Sequence, residues 1–85
     1  MPEISRFLGI IIRMYLREHA PPHFHAEYGE FEITVEIETG IIEGKFPRRA
    51  LSVVLEWYLL HKDELMANWN AAMERKPLSK IPPLE

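Results

Sequence analysis

A strict alternation of apolar and polar residues is the feature that most constrains the fold of this chain. It covers two runs, residues 23–28 and 31–38, which are separated by Gly29 and Glu30. Alternation with a period of two is typical of a β-strand that buries one face. A two-residue loop with glycine first is a common hairpin turn. The segment therefore predicts an antiparallel hairpin with one apolar face and one polar face.

The register of this hairpin follows from its two-residue turn. Every cross-strand pair then matches in polarity: Tyr28–Phe31, Ala26–Ile33 and Phe24–Val35 are apolar, whereas His25–Thr34 and His23–Glu36 are polar. A slip by one residue would turn each side chain to the opposite face. The agreement of all the pairs therefore supports this register.

Two further strands complete the predicted sheet. The run from Gly9 to Leu16 is rich in β-branched and aromatic residues, as strands are. Pro21 and Pro22 mark a loop after it, because proline cannot donate to a ladder of hydrogen bonds. The run from Ile41 to Phe46 follows Thr39-Gly40, which suits a second two-residue turn.

The second turn predicts how the last two strands pair. It would place Ile37 opposite Ile42 and Glu36 opposite Glu43, which keeps the two faces separate. His23, Glu36 and Glu43 would then form one row across three strands.

Two helices are expected after the sheet. Pro47 suits the first turn of a helix, and apolar residues follow it at helical spacing: Leu51, Val54, Leu55 and Tyr58. A second helix is expected to start near Asp63, a first-turn acid, and to end before Pro77. The predicted fold class is α+β: a four-stranded antiparallel sheet, packed on one face by two C-terminal helices. Residues 1–76 form the predicted domain, and residues 77–85 form an extended, proline-rich C-terminal arm.

Length and composition exclude several classes of protein. A chain of 85 residues has room for one domain. It contains no cysteine, which excludes disulfides and thiolate metal ligands. A formal charge of −3 gives no basis for strong non-specific binding to nucleic acid. The apolar run from Phe7 to Leu16 is too short to span a bilayer and does not resemble a signal peptide. We therefore expect a cytoplasmic protein with no membrane contact.

The open face of the predicted sheet carries the candidate functional residues. His23 and His25 are two residues apart on one strand, so their side chains share a face about 6.5–7 Å apart at the backbone. With Glu27 or His19 they would make a set of ligands suited to zinc, manganese or iron. The simpler interpretation is a solvated strand with cross-strand charge pairs, each worth about 0.2–1 kcal/mol.

Metal-free acid–base catalysis is a second interpretation of the same residues. His23 and His25 would be the catalytic residues, because histidine has a pKa near physiological pH. Arg13 and Tyr15 would lie nearby as binding residues, and Glu36 would orient His23. The acidic character of the face opposes this interpretation, because carboxylates repel phosphate.

Association with another chain is also expected. A four-stranded open sheet leaves two edges with unpaired backbone groups. Trp57 and Tyr58 are adjacent on one helix and point about 100° apart, so one of them is a candidate anchor for a partner. The alternative is that the C-terminal arm folds back over the helices and covers that surface in a monomer. The predicted state is a homodimer or a complex with a cognate small protein.

Several segments of the chain also resemble a known bacterial family. They are Pro2, Ile4-Ser5-Arg6-Phe7, Gly9 to Tyr15, Pro21-Pro22-His23-Phe24-His25-Ala26, Tyr28-Gly29-Glu30, Arg49-Ala50-Leu51, Leu55-Glu56-Trp57 and Asn68-Trp69. The chain is similar over essentially its whole length to the domain of unknown function numbered four-one-six-zero. The Pro-Pro-His-Phe-His segment is the most specific part, and Ala20 departs from a position that is often polar in the family.

The resemblance implies a small bacterial protein encoded beside a second small protein. Such pairs resemble toxin–antitoxin modules, so the resemblance implies an interaction component of a two-protein module, with RNA or DNA reached only through that module. The family's histidine motif falls on His23 and His25. The alternative is a small histidine-dependent hydrolase or ribonuclease, or a metal-binding protein, that uses these two residues.

Overall fold

A five-stranded antiparallel sheet and two helices make up the fold, which the computed structural model describes for residues 3–16 and 18–84. The elements are β1 (Glu3–Phe7), β2 (Ile10–Arg13), β3 (His23–Tyr28), β4 (Phe31–Glu36), β5 (Ile42–Lys45), α1 (Arg48–Leu60) and α2 (Lys62–Met73). The strands lie in chain order, so each pairs with its neighbours in sequence. Pro2, Arg17 and Glu85 lie outside the described residues.

The central hairpin has the predicted register. β3 and β4 pair His23 with Glu36 and His25 with Thr34, and the three apolar pairs are those expected. Phe24, Ala26, Ile33 and Val35 are all buried, so the apolar face is the core face. The α+β class and the two helices are likewise confirmed.

The predicted pairing of the last two strands is wrong by two residues. Val35 pairs with Ile42 and Thr34 with Glu43, because five residues, 37–41, separate β4 from β5 in place of the predicted two-residue turn. Ile37 lies in this loop and is buried in the core. Its N–H donates to the carbonyl oxygen of Pro22, and its own carbonyl oxygen accepts from the Tyr58 hydroxyl. A shift by two keeps every side chain on its predicted face.

That shift replaces the predicted row of His23, Glu36 and Glu43. The observed row runs Arg13, His25, Thr34 and Glu43 across four strands. It is therefore His25, and not His23, that lies in line with Glu43.

The sheet has five strands rather than the predicted four, and the additional strand is β1. β1 and β2 form a hairpin in which Phe7 pairs with Ile10 across Leu8 and Gly9. Both turn residues have positive φ, 51° at Leu8 and 81° at Gly9. This is the pattern of a type I′ turn, whose usual sequence is Asn-Gly. Leucine at the first position conceals the turn from sequence analysis.

The helices cover the apolar face of the sheet. Trp57 of α1 is fully buried and contacts the rings of Phe7 and Phe24. Tyr58 is buried too, so the expectation that one of these adjacent aromatic residues remains free for a partner is wrong. Neither helix of the described chain has the length and apolar character needed to cross a membrane.

The residues after α2 pack back against the domain. The Ile81 N–H donates to the Ile4 carbonyl oxygen of β1, and the Ser5 hydroxyl donates to the Ile81 carbonyl oxygen. The Asn68 side chain makes two hydrogen bonds with the backbone of Ser79, of 2.8 and 2.9 Å. The indole N–H of Trp57 in α1 donates to the carbonyl oxygen of Pro82, so residues 77–84 are attached to the edge of the sheet and to both helices.

Candidate functional site

A cleft of about 330 Å³ lies on the polar face of the sheet, between β3, β4, β5 and the loop that precedes β3. The loop residues 18–21 form one wall, and side chains of β3, β4 and β5 form the floor. His23 and His25 point into this cleft from β3, as the alternation of a strand requires. The side chains are only 14% and 15% exposed, so they are more covered than an open sheet face would leave them.

His25 is held from both sides of its ring. Its Nε2 atom lies 2.7 Å from Oε1 of Glu18, and its Nδ1 atom lies 3.1 Å from Oε2 of Glu32. The ring of Tyr15 meets it edge-on, at 4.6 Å between ring centroids. Both carboxylates can accept hydrogen bonds from this ring only when both of its nitrogens carry hydrogen.

His23 is fixed by the backbone of the preceding loop. Its Nδ1 atom donates to the carbonyl oxygen of Pro21 at 2.8 Å, because a carbonyl oxygen can only accept. Its Nε2 atom faces Oε1 of Glu18 at 3.5 Å. Its ring lies 5.2 Å from that of Trp69 and 5.3 Å from that of His25, measured between centroids.

Glu18 joins the two histidines through one carboxylate oxygen. Burial raises the pKa of the Glu18 carboxyl, but the hydrogen bond from His25 and the neighbouring imidazoles lower it more, so its pKa lies below the ordinary value. Glu18 is therefore a carboxylate at neutral pH, and its Oε1 atom is shared by both imidazoles.

The other predicted site residues lie around this cluster without joining it. Arg13 forms an ion pair with Glu27, with 3.1 Å between Nε and Oε2, so Glu27 is engaged beside the histidines rather than with them. Burial, together with the charges of Glu27 and Glu32, raises the pKa of the Tyr15 hydroxyl. Glu36 lines the cleft and accepts a hydrogen bond from Thr39.

Glu18 is the residue that sequence reasoning did not select. The predicted third ligand was Glu27 or His19, whereas the structure brings Glu18 to His23 and His25 and leaves His19 exposed on the cleft wall. Glu18 lies in an irregular loop, where side-chain direction does not follow from a period. The available signal was its place in the sequence, as an acidic residue in the short loop directly before the strand that carries both histidines.

The arrangement has the features of a metal-ligand set. Glu18, His23 and His25 each offer one ligand atom, and these atoms lie within 4.8 Å of one another. Among the described residues this is the group of three that meets the distance criterion. Two imidazoles and one carboxylate suit zinc and non-haem iron.

The fold and the cluster define a small antiparallel α+β domain with a histidine–histidine–glutamate group on the free face of its sheet. The chain belongs to the family described as Domain of unknown function (DUF4160), whose model matches residues 9–70. This confirms the family resemblance found in the sequence. The match includes Glu18, His23 and His25 but not β1 or the last residues of α2. Searches of curated proteins and of solved structures gave no significant match.

Proposed function

We propose that the protein binds a divalent transition-metal ion through Glu18, His23 and His25. The orientation of the two imidazoles carries this proposal. Each Nδ1 atom has an acceptor of its own, Pro21 for His23 and Glu32 for His25. Each Nε2 atom is thereby directed at the same oxygen of Glu18.

This is the way metal-binding histidines are usually supported. A ligating imidazole normally donates its other N–H to a carboxylate or a backbone carbonyl group, which fixes its tautomer and its direction. Here the partner of His23 is a backbone carbonyl group, that of Pro21, and the partner of His25 is a carboxylate, that of Glu32. Simple charge pairs on the surface of a strand do not require a hydrogen-bond partner at the Nδ1 atom of each histidine.

The two distances to Glu18 are close to those of a tetrahedral ion and reach them after a small movement of Glu18. Zinc bonds of about 2.0–2.2 Å place two ligand atoms about 3.4 Å apart in a tetrahedron. The distance from His23 to Glu18 is 3.5 Å, and that from His25 to Glu18 is 2.7 Å. The carboxylate would thus need to move away from His25 by less than an ångström.

Metal-free acid–base catalysis has less support. It requires a ring nitrogen that is free to exchange a proton with a substrate in the cleft. Both nitrogens of His25 face carboxylates, and Nδ1 of His23 is engaged by Pro21. These contacts favour metal binding.

The cleft determines what such an ion could do. Three protein ligands leave a further position for water or substrate, which is the pattern of catalytic zinc sites. A bound ion would make that water acidic enough to act as a nucleophile near neutral pH. Hydrolysis is therefore the reaction class that we propose for the cleft, with Glu18, His23 and His25 in the role of ligands.

Calorimetric titration of the untagged chain with zinc chloride tests the proposal. We expect one ion per chain, and loss of that binding in Glu18→Gln and His23→Ala. Glu32→Gln should weaken binding by about 10–100-fold, because Glu32 only orients His25. His19→Ala is the matched control, since His19 lines the same cleft but lies outside the cluster.

Two results would contradict the proposal. One is the absence of saturable binding of zinc, manganese or ferrous ion to the folded wild-type chain. The other is an equal loss of affinity in His19→Ala and His23→Ala, which would indicate binding by scattered surface groups. Circular dichroism of each variant separates loss of the site from loss of the fold.

We also propose that the protein is an interaction component of a two-protein, toxin–antitoxin-like module. The family resemblance supports this, and so do large apolar side chains that the described surface leaves open. Leu8, Leu59 and Leu60 are 69%, 70% and 66% exposed. Expression in a bacterial host with and without the neighbouring gene tests it. Stable co-purification of the two products is expected, and its absence together with unchanged growth would contradict the module.

A further inference from the structure

Leu8 occupies a position that suits neither its side chain nor its backbone. It is the first residue of the β1–β2 turn, with a φ of 51° and a side chain that is 69% exposed. Branched apolar residues rarely adopt positive φ, and asparagine or glycine is preferred at this position of the turn. A leucine there gains little from folding, so its apolar side chain is better explained by a contact outside the domain.

The turn lies beside an apolar groove between the end of the sheet and the start of α1. The groove has a volume of about 200 Å³, and its lining includes Leu8, Ile10, Tyr28, Ala50 and Val53. Sites for whole metabolites usually measure about 300–1,000 Å³. The smaller volume suits an anchoring side chain from a protein segment.

The charge beside the groove is positive. Arg49 is the charged residue of the lining, and its guanidinium forms no ion pair with a described residue. The first turn of α1 contains no acidic residue and no side-chain cap. Both features favour a carboxylate next to the apolar anchor, although the chain as a whole is acidic.

We propose that this groove binds a segment of a partner protein in which a large apolar residue is adjacent to aspartate or glutamate. The apolar residue enters the groove against Leu8 and Tyr28, and the carboxylate pairs with Arg49. The inference rests on the proposed role in a two-protein module and gives the chemistry of the partner. It is independent of the metal site.

Selection from a displayed library of random peptides tests the inference on the full chain. Enriched peptides should contain a large apolar residue beside an acidic one. Their affinity should fall by about tenfold or more in Leu8→Asn and in Arg49→Glu, as expected for loss of one anchor contact. Leu59→Asn should leave it unchanged, because Leu59 is equally exposed but lies outside the groove. Leu8→Asn creates the preferred turn sequence, so it should fold with an equal or higher melting temperature.

Three results would overturn the groove as the docking site: no enrichment over an unrelated control protein, enriched peptides without acidic residues, or unchanged affinity in Leu8→Asn. Leu8-dependent binding to anionic lipid vesicles in place of peptides would overturn it as well. Binding of the neighbouring gene's product to wild type and to Leu8→Asn distinguishes failure of the groove from failure of the module. If that protein binds wild type and Leu8→Asn equally, the module stands and the groove is wrong.

Discussion

The backbone of β4 passes close to Gly44 of β5. A Cβ atom added there would lie 2.5 Å from the carbonyl oxygen of Glu32 and 3.1 Å from Cα of Ile33. The φ of Gly44 is +108°, which side-chain-bearing residues rarely adopt. Both constraints come from backbone atoms, so rotation of a side chain cannot relieve them.

Gly44→Ala should therefore lower the free energy of unfolding by about 3 kcal/mol, from strain and overpacking together. Gly29→Ala is the control, because Gly29 also has positive φ but has open space around it. Gly29→Ala should lower the free energy of unfolding by about 1 kcal/mol, which is the cost of positive φ alone. Urea denaturation of both variants measures the difference, and equal losses would show that the contact with Glu32 is unimportant.

Leu8→Asn should change stability in the opposite direction. Asparagine tolerates the left-handed conformation of this turn, so the free energy of unfolding should rise by about 1 kcal/mol. Leu59→Asn removes an equally exposed leucine from a helix and should instead cost about 0.5 kcal/mol. A destabilised Leu8→Asn would mean that Leu8 serves the fold rather than a partner.

The positions of the two histidines in the candidate site could be predicted from the sequence. The period of a strand places His23 and His25 on one face, and matched polarity sets their cross-strand partners. Glu18 does not follow, because its direction depends on how a proline-containing loop folds over the sheet. The same loop explains why the histidines are mostly covered rather than open to water.

Among the elements, the segment after α2 protects the edge strand β1. Its Ile81 exchanges hydrogen bonds with Ile4 and Ser5, and Pro82 accepts a hydrogen bond from the indole N–H of Trp57. An uncovered edge strand would present unpaired backbone groups to other chains. The sequence predicted an extended segment here but could not reveal where it attaches, because its contacts with β1 join residues more than 70 positions apart.

Asn68 makes two of the hydrogen bonds that attach this segment. Asn68→Ala leaves the N–H and the carbonyl group of Ser79 without their partner, so we expect a loss of about 1–3 kcal/mol. Asn70→Ala on the same helix is the control, because Asn70 is exposed and alanine favours helices. Thermal unfolding of the two variants decides this, and equal melting temperatures would contradict the role given to Asn68.

For the whole molecule, the two proposed sites lie at opposite ends of β3. His23, at the start of the strand, belongs to the proposed metal site, and Tyr28, at its end, lines the apolar groove. Five residue steps in a strand span about 16 Å. Substitutions at one site should therefore leave the other intact, so metal binding and partner binding can be tested separately on one chain.

The chain is expected to associate in solution. β5 is the free edge of the described sheet, and Leu8, Leu59 and Leu60 leave large apolar side chains exposed. We expect light scattering at micromolar concentration to report a mass above that of the monomer, for the chain alone or mixed with the product of the neighbouring gene. A monomeric mass in every mixture would contradict association.

A chain ending at Lys76 should melt at a lower temperature than the full chain, because it lacks the contacts of Ile81. An unchanged melting temperature on truncation would contradict the attachment of the C-terminal segment.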